Sequence, residues 1–449
     1  MKLKKMFVLT MCLVLAIFAA ACSSGNNNNN NSNSNPTNNA VNNTENTGGN
    51  AGTDNAGSEA ESEDIVPEEG AKLIVWEGQE QKAFLEEMGK QFEEKYGIPV
   101  EYQEVGSGDQ MTKLKTDGPA GLGADVIITP HDHLGELTAA GLILPNDFYA
   151  QETMDNFVES AVNAVTMDGI LWGYPRNMET YLLYYNKDLV SEDQLASWES
   201  IIEFAKSYND PGSNKFGFMF DVDDFYYVYS FIAGNGGYVF GENGTDPTDV
   251  GLNNDQAVEA MQFYQTLREA LPIKAADATG DVKTELFQSG KLPINMDGIW
   301  QLGNFTQEKL GFEVGAVPLP PMPNGNKPVS FAGVKSYFVS SFSKYPNAAK
   351  LFIHFVTSQE AMEKNYEMAG IIPARNGMEE SAIIQQNPLN LAFLEQFKTS
   401  QAMPAIIEMR SVWPPMTAAL EPIWNGEDVK TVLDKAVADV KIGIEQSAN

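Results

Sequence analysis

The sequence predicts an α/β fold with a parallel sheet, and three observations carry that expectation. Short β-branched runs alternate with helix-period segments between residues 72 and 129. The chain has 449 residues, 43% of them hydrophobic, enough for roughly two or three domains at about 150 residues each. Its two cysteines, Cys12 and Cys22, both precede the region with these patterns, so the folded part has no material for a disulfide scaffold, a cysteine zinc site or a catalytic thiol.

Taken in order, residues 1–21 read as an export signal: Lys2, Lys4 and Lys5 are followed by the apolar stretch Met6 to Ala20. That stretch is shorter than the roughly 18 residues a membrane-spanning helix needs. Ala19-Ala20-Ala21 before Cys22 resembles a lipoprotein signal, with Ala19 where bacterial lipoboxes usually carry Leu. The resemblance makes Cys22 the lipidation site, and a diacylated cysteine holds a membrane durably. Residues 22–70 then form the lipidated end and an acidic, Asn-rich tether, including Asn26 to Asn31 and Glu59, Glu61, Glu63, Asp64, Glu68 and Glu69, too polar to build a core.

The first strand is Leu73-Ile74-Val75-Trp76, closed by Glu77-Gly78; Phe84, Leu85, Met88, Phe92 and Tyr96 follow at helical spacing. Gly97 to Tyr102 reads as a second strand, Met111 to Leu114 as helix, and Ala124 to Thr129 as a third strand. In open α/β sheets ligands gather outside the carboxyl ends of the strands, which directs attention to Glu77–Gln81 and Thr129–His133.

Charge and motifs exclude several functions. Lys plus Arg number 29 against 61 Asp plus Glu, a formal charge of -32, so nucleic acid is not the main ligand. GxSxG, P-loop, GxGxxG-after-a-strand and HExxH signatures are all absent from the sequence. His131-Asp132-His133 offers two histidines, but the only other one is His354, and zinc sites want three or four protein ligands. Neither metal nor cofactor is expected.

Several stretches recur in a set order: Leu-Ile-Val-Trp at 73–76, Gly-Ile-Pro-Val at 97–100, Asp-Val-Ile-Ile-Thr-Pro-His-Asp-His-Leu-Gly at 125–135 and Ala-Gly-Leu-Ile at 140–143. They continue through Gly169 to Leu189, with its Tyr174-Pro175 and Tyr185-Asn186-Lys187-Asp188-Leu189, to Gly-Asn-Gly-Gly-Tyr at 234–238, Asn-Met-Asp-Gly-Ile-Trp at 295–300 and Phe-Ala-Gly-Val at 331–334. In this order the chain resembles the extracellular solute-binding proteins of ABC sugar importers, of the maltose/maltodextrin-binding type. The resemblance implies a periplasmic-binding-protein-like fold: two discontinuous α/β lobes, joined by hinge strands, that close around a sugar in the cleft. The first lobe would comprise residues 71–178 and 334–396, the second 179–333 and 397–449, with crossovers near Glu179, near Gly333 and before Met403. Gly333 suits a hinge as well as it suits close backbone packing. The resemblance further implies a monomeric receptor on the extracellular face of the cell membrane that passes an oligosaccharide to an ABC permease.

A pyranose presents apolar faces and a hydroxyl rim, so its site needs flat aromatics and planar polar groups. Trp300 and Trp413 sit at element boundaries and match stacking positions of the family, although a lone Trp is more often core. Tyr226 and Tyr227 match another aromatic stretch lining the site, in a segment where Tyr229 and Phe231 must partly serve the core. Asp132, Glu179 and Asp224 match carboxylates that accept from sugar hydroxyls, against the ordinary alternative of a solvated surface acid. Glu77, Gln79 and Glu80 occupy the first strand-to-helix loop, where relatives also contact sugar, with Glu77 preferred. Arg410 suits a surface salt bridge better than a sugar contact. Where maltodextrin-binding relatives carry a stacking Trp and an Arg around Asp132, this chain has Thr129 and His133, a change expected to shift sugar preference. The competing functions are an exported glycoside hydrolase, using Asp132 with Glu179 or Asp224, and a sugar sensor or adhesin signalling through a membrane partner.

Overall fold

The structure, a computed structural model, describes residues 65–378 and 380–447; the expected signal, Cys22 and the tether as far as Asp64 lie outside the described residues. β1 (Leu73–Glu77), β2 (Val100–Glu104) and β3 (Val126–Pro130) pair in parallel around β1, with the helices Lys82–Tyr96 and Gln110–Asp117 between them. Phe84, Leu85, Met88 and Phe92 are the buried face of the first helix, as their spacing predicts. Then come β4 (Ile143–Leu144), the hairpin β5 (Thr166–Met167) and β6 (Ile170–Leu171), and β7 (Tyr174–Glu179).

One residue later the chain changes sheet. β8 (Tyr181–Asn186), β9 (Phe218–Met219), β10 (Ile294–Gly298) and β11 (Val314–Val317) form a second, four-stranded sheet in the order β11-β8-β10-β9. The long β12 (Ser330–Ser340) returns to the first sheet, and β13 (Ser400–Ala402) lies parallel to its opening residues. These two sheets are the cores of two lobes joined at Glu179–Tyr181 and along β12. At the junction the Thr180 hydroxyl lies 2.7 Å from that of Ser330 and donates to the Phe331 carbonyl at 2.9 Å.

The first sheet is mixed where the strand alternation predicts a parallel one: β12 runs antiparallel to β3, β4 and β7. The reason is topological. β1 and β3 end at the junction between the lobes, whereas β12 enters from that junction and runs away from it. Both faces of this sheet are covered: Val75, Val126, Ile128, Tyr337 and Val339 join one core, while Trp76, Ile127, Val334 and Phe338 join the other.

Two expected boundaries move. Residues 65–70 belong to the fold rather than the tether, because the Glu68 carboxylate accepts from the backbone N–H groups of Asn347 and Ala348, capping the helix Pro346–Val356. The segment 382–397, expected with the first lobe, buries Ile384, Ala392 and Phe393 in the core of the second. Its apolar residues complete the cover over β8 and β11.

Candidate functional site

β1 and β3 both end between the lobes and lead into a single helical turn, and these turns carry polar side chains. After β1 the turn Gln79–Gln81 projects Glu80; after β3 the turn His131–His133 projects Asp132 and His133. The crossing strands add Glu179 from β7, and Gly333 and Lys335 from β12. Opposite them the second lobe contributes Asp224 and Tyr226 at the start of the helix Phe225–Asn235, Trp300 just past β10, and Trp413 at the start of the helix Trp413–Trp424. Together they line an open cleft of about 610 Å³.

The aromatic wall is one cluster. Trp300 and Tyr226 have ring centroids 6.2 Å apart, Tyr226 stacks near Phe331 at 6.1 Å, and Trp413 packs against Phe331 at 5.9 Å and Phe225 at 5.8 Å. Trp300 and Trp413 are half-buried, each packed on the second-lobe core and each lining the cleft. Each tryptophan thus belongs both to the edge of the second-lobe core and to the cleft lining. Gly298 makes the position of Trp300 possible: a Cβ at 298 would meet the indole at 2.1 Å.

The polar wall is held from behind. Glu179 accepts from the Asn177 side chain at 2.9 Å and pairs with Lys335 at 3.4 Å; Glu80 is 4.0 Å from the same ammonium. The Asp224 carboxylate caps its helix by accepting from the Tyr226 N–H at 2.9 Å. It is reached by solvent, yet the crowding cleft walls raise it above the usual carboxylate range. His133 Nδ1 lies 2.6 Å from the Thr129 hydroxyl, so the two side chains brace one another.

Eight of the residues expected at the site line this cleft: Glu80, Asp132, His133, Glu179, Asp224, Tyr226, Trp300 and Trp413. Three do not. Glu77 is fully buried beneath it and ion-paired to Arg176, because it continues the inward row Leu73, Val75 on β1. Its burial pushes the carboxyl up, opposed by the Arg176 guanidinium. Gln79 is exposed and is not part of the lining. Tyr227, one helical position past Tyr226, turns into a neighbouring cavity, where its hydroxyl donates to Asp297 at 3.2 Å. Arg410 lies 3.5 Å from Glu136, a surface ion pair. His131 uses both ring nitrogens on backbone: Nδ1 accepts from the Val334 N–H at 3.0 Å and Nε2 donates to the Met403 carbonyl at 2.9 Å. It clamps β12 to the segment after β13 and has no lone pair left for a metal.

Sequence reasoning missed Lys335. The signal was present: one lysine in the otherwise uncharged strand Ser-Phe-Ala-Gly-Val-Lys-Ser-Tyr-Phe-Val-Ser.

The chain is similar to a galactooligosaccharide-binding protein of Bacillus subtilis (strain 168), at 31% identity over 83% of this chain and 89% of that one. It is similar to a maltodextrin-binding protein of the same strain at 31% identity, covering 81% and 88%. A crystal structure of a cyclo/maltodextrin-binding protein complexed with maltotetraose superposes with a TM-score of 0.69 at 34% identity, covering 83% of this chain and 97% of that one. A family model described as bacterial extracellular solute-binding protein matches residues 87–392. With that match over more than half its length and an interlobe cleft of the required build, this chain belongs to the bacterial extracellular solute-binding proteins.

Proposed function

We propose that this protein is the oligosaccharide receptor of an ABC importer, tethered to the extracellular face of the cell membrane through a lipid on Cys22. The observation that carries the reading is the composition of the cleft: the Trp300, Tyr226 and Trp413 rings on one side, and the Asp132 and Glu179 carboxylates on the other. Apolar sugar faces stack on the former, and hydroxyls donate to the latter. The relatives named for galactooligosaccharide and maltodextrin binding support the ligand class, and maltodextrin-like sugars are the first choice.

The mechanism follows from where the groups sit. A sugar held by one lobe gains the other lobe's contacts only when the lobes close, so its differential affinity for the closed state supplies the free energy of closure. Glu179 and Lys335 lie on the crossing strands, where closure and ligand contact coincide. The permease subunits would then recognise the closed form. Binding leaves the sugar intact in this reading.

Tryptophan fluorescence tests it. Maltotetraose should change the emission of the wild-type protein saturably, and Trp413→Ala should weaken binding; no saturable change with any oligosaccharide would refute the reading. Cys22→Ser should release the protein from membranes into the medium, and continued membrane association would refute the anchor.

A further inference from the structure

Lys335 is the only lysine or arginine among the residues that line the main cleft, against the carboxylates of Glu80, Asp132, Glu179 and Asp224. Its place follows from β12. It lies two residues past Gly333, so the alternation of the strand brings both to the cleft, and the register with β7 shifts immediately after it. Irregularities of this kind re-aim side chains beside binding sites.

The Lys335–Glu179 pair is not spent on itself. Lys335 Nζ lies 3.4 Å from Glu179 Oε1 and 4.0 Å from Glu80 Oε1, ion-pair contacts in which it donates no hydrogen bond to any described residue. Glu179 Oε1 is taken by the Asn177 amide at 2.9 Å, and no donor among the described residues reaches its Oε2. Both unspent groups belong to side chains of the cleft lining, and neither is sealed, unlike Arg176 Nη2 and the Tyr337 hydroxyl, which are buried without a partner. An ammonium only donates and a carboxylate only accepts, so together they complement two hydroxyls, one accepting and one donating. Leaving either charge unmatched in a closed cleft is costly, which turns the match into a criterion of selection.

We infer that Lys335 and Glu179 together read one vicinal diol of the bound sugar: Lys335 Nζ donates to one hydroxyl oxygen, and Glu179 Oε2 accepts from the hydroxyl on the adjacent ring carbon. Equatorial hydroxyls on adjacent carbons lie side by side, as these two groups do on paired strands. The inference rests on the sugar-binding reading of the cleft and deepens it. Sugars in which either hydroxyl is missing or substituted are rejected, and the discriminating contact sits on the strands that cross between the lobes.

Calorimetric titration tests this, with methyl β-maltoside and the full set of its monodeoxy derivatives against the wild-type protein, Lys335→Met and Glu179→Ala. In the wild type, removing either of two hydroxyls on adjacent carbons should weaken binding about tenfold or more, the scale of one hydrogen bond to a charged group. Lys335→Met should bind the derivative lacking one of them as well as it binds the parent sugar, and Glu179→Ala should do the same for the other. Every other deletion should keep its wild-type effect in both variants, which also shows that they fold. A wild-type protein without two adjacent sensitive hydroxyls overturns the diol reading with no variant needed. So does a Lys335→Met protein that weakens every sugar alike or binds none, the mark of a structural role. In each of these cases binding by the wild type leaves the receptor reading standing; failure of the wild type to bind either methyl β-maltoside or maltotetraose overturns both.

Discussion

Replacing Glu77 by alanine is expected to destabilise the protein without weakening its grip on sugar. Glu77 is 0% exposed and its partner Arg176 is 2% exposed. The guanidinium makes one other side-chain hydrogen bond, Nε to Asn177 at 2.8 Å, and its Nη2 has no partner among the described residues. The neighbouring Tyr337 ring centroid lies 5.9 Å from the guanidinium carbon and brings no countercharge. Removing Glu77 therefore strands a buried cation, a change that costs about 3–5 kcal/mol. The double variant Glu77→Leu with Arg176→Met removes both charges and should recover most of that loss. Denaturant unfolding of the wild type, the two single variants and the double variant reads the coupling, and calorimetry with maltotetraose on the same proteins reads the site. An unfolding midpoint for Glu77→Ala equal to wild type would refute the buried-pair argument. Lost sugar affinity at unchanged stability would return Glu77 to the cleft.

Four further outcomes are expected. Trp300→Ala and Trp413→Ala should each weaken oligosaccharide binding by about 1 kcal/mol or more, read by calorimetry, with the fold retained. Gly333→Leu should block binding yet leave the unfolding midpoint close to wild type, since the Cβ would meet only ordinary contacts, Met403 at 3.5 Å and Glu179 at 3.9 Å, and the side chain would extend into the cleft. Glu68→Ala should lower stability by about 1 kcal/mol through the lost cap on the helix Pro346–Val356. Burial raises Asp221 from 3.8 to about 7 against the pull of Lys283, with Asp297 and Asp224 adding to the rise. The folded state thus keeps a proton that the unfolded chain has lost, and stability falls as pH rises from about 4 to about 7. Asp221→Asn should flatten that part of the denaturation-versus-pH curve.

Much of the site is legible in the sequence because it sits at strand ends. Asp132 and Trp300 each follow a β-branched or apolar run within a few residues, so local pattern and topology point to the same place. Glu77 and Glu80 show where such reasoning stops. Both are acids in one loop, but β1 extends through Glu77, and the alternation that buries Leu73 and Val75 carries Glu77 inward with them. Tyr226 and Tyr227 diverge for the helical equivalent of that reason: Tyr226 reaches the main cleft, whereas Tyr227 lines only the neighbouring cavity. The Lys283 cluster was not legible at all, because Asp221, Lys283 and Asp297 come from separate elements that only the folded second lobe assembles. The antiparallel entry of β12 is illegible for a related reason: its direction is set by the crossover between lobes, which local propensity does not encode.

The most direct test of the receptor reading is calorimetric titration of the folded region, from Ile65 onward, with maltodextrins, cyclodextrins and β-linked oligosaccharides, while the same mixtures are analysed for hydrolysis products. The predicted result is saturable, micromolar or tighter binding of one series, about -8 kcal/mol or more favourable, with the sugar recovered intact. Release of shorter sugars would contradict it in favour of a hydrolase, and absence of heat across the panel would place the ligand outside these sugars.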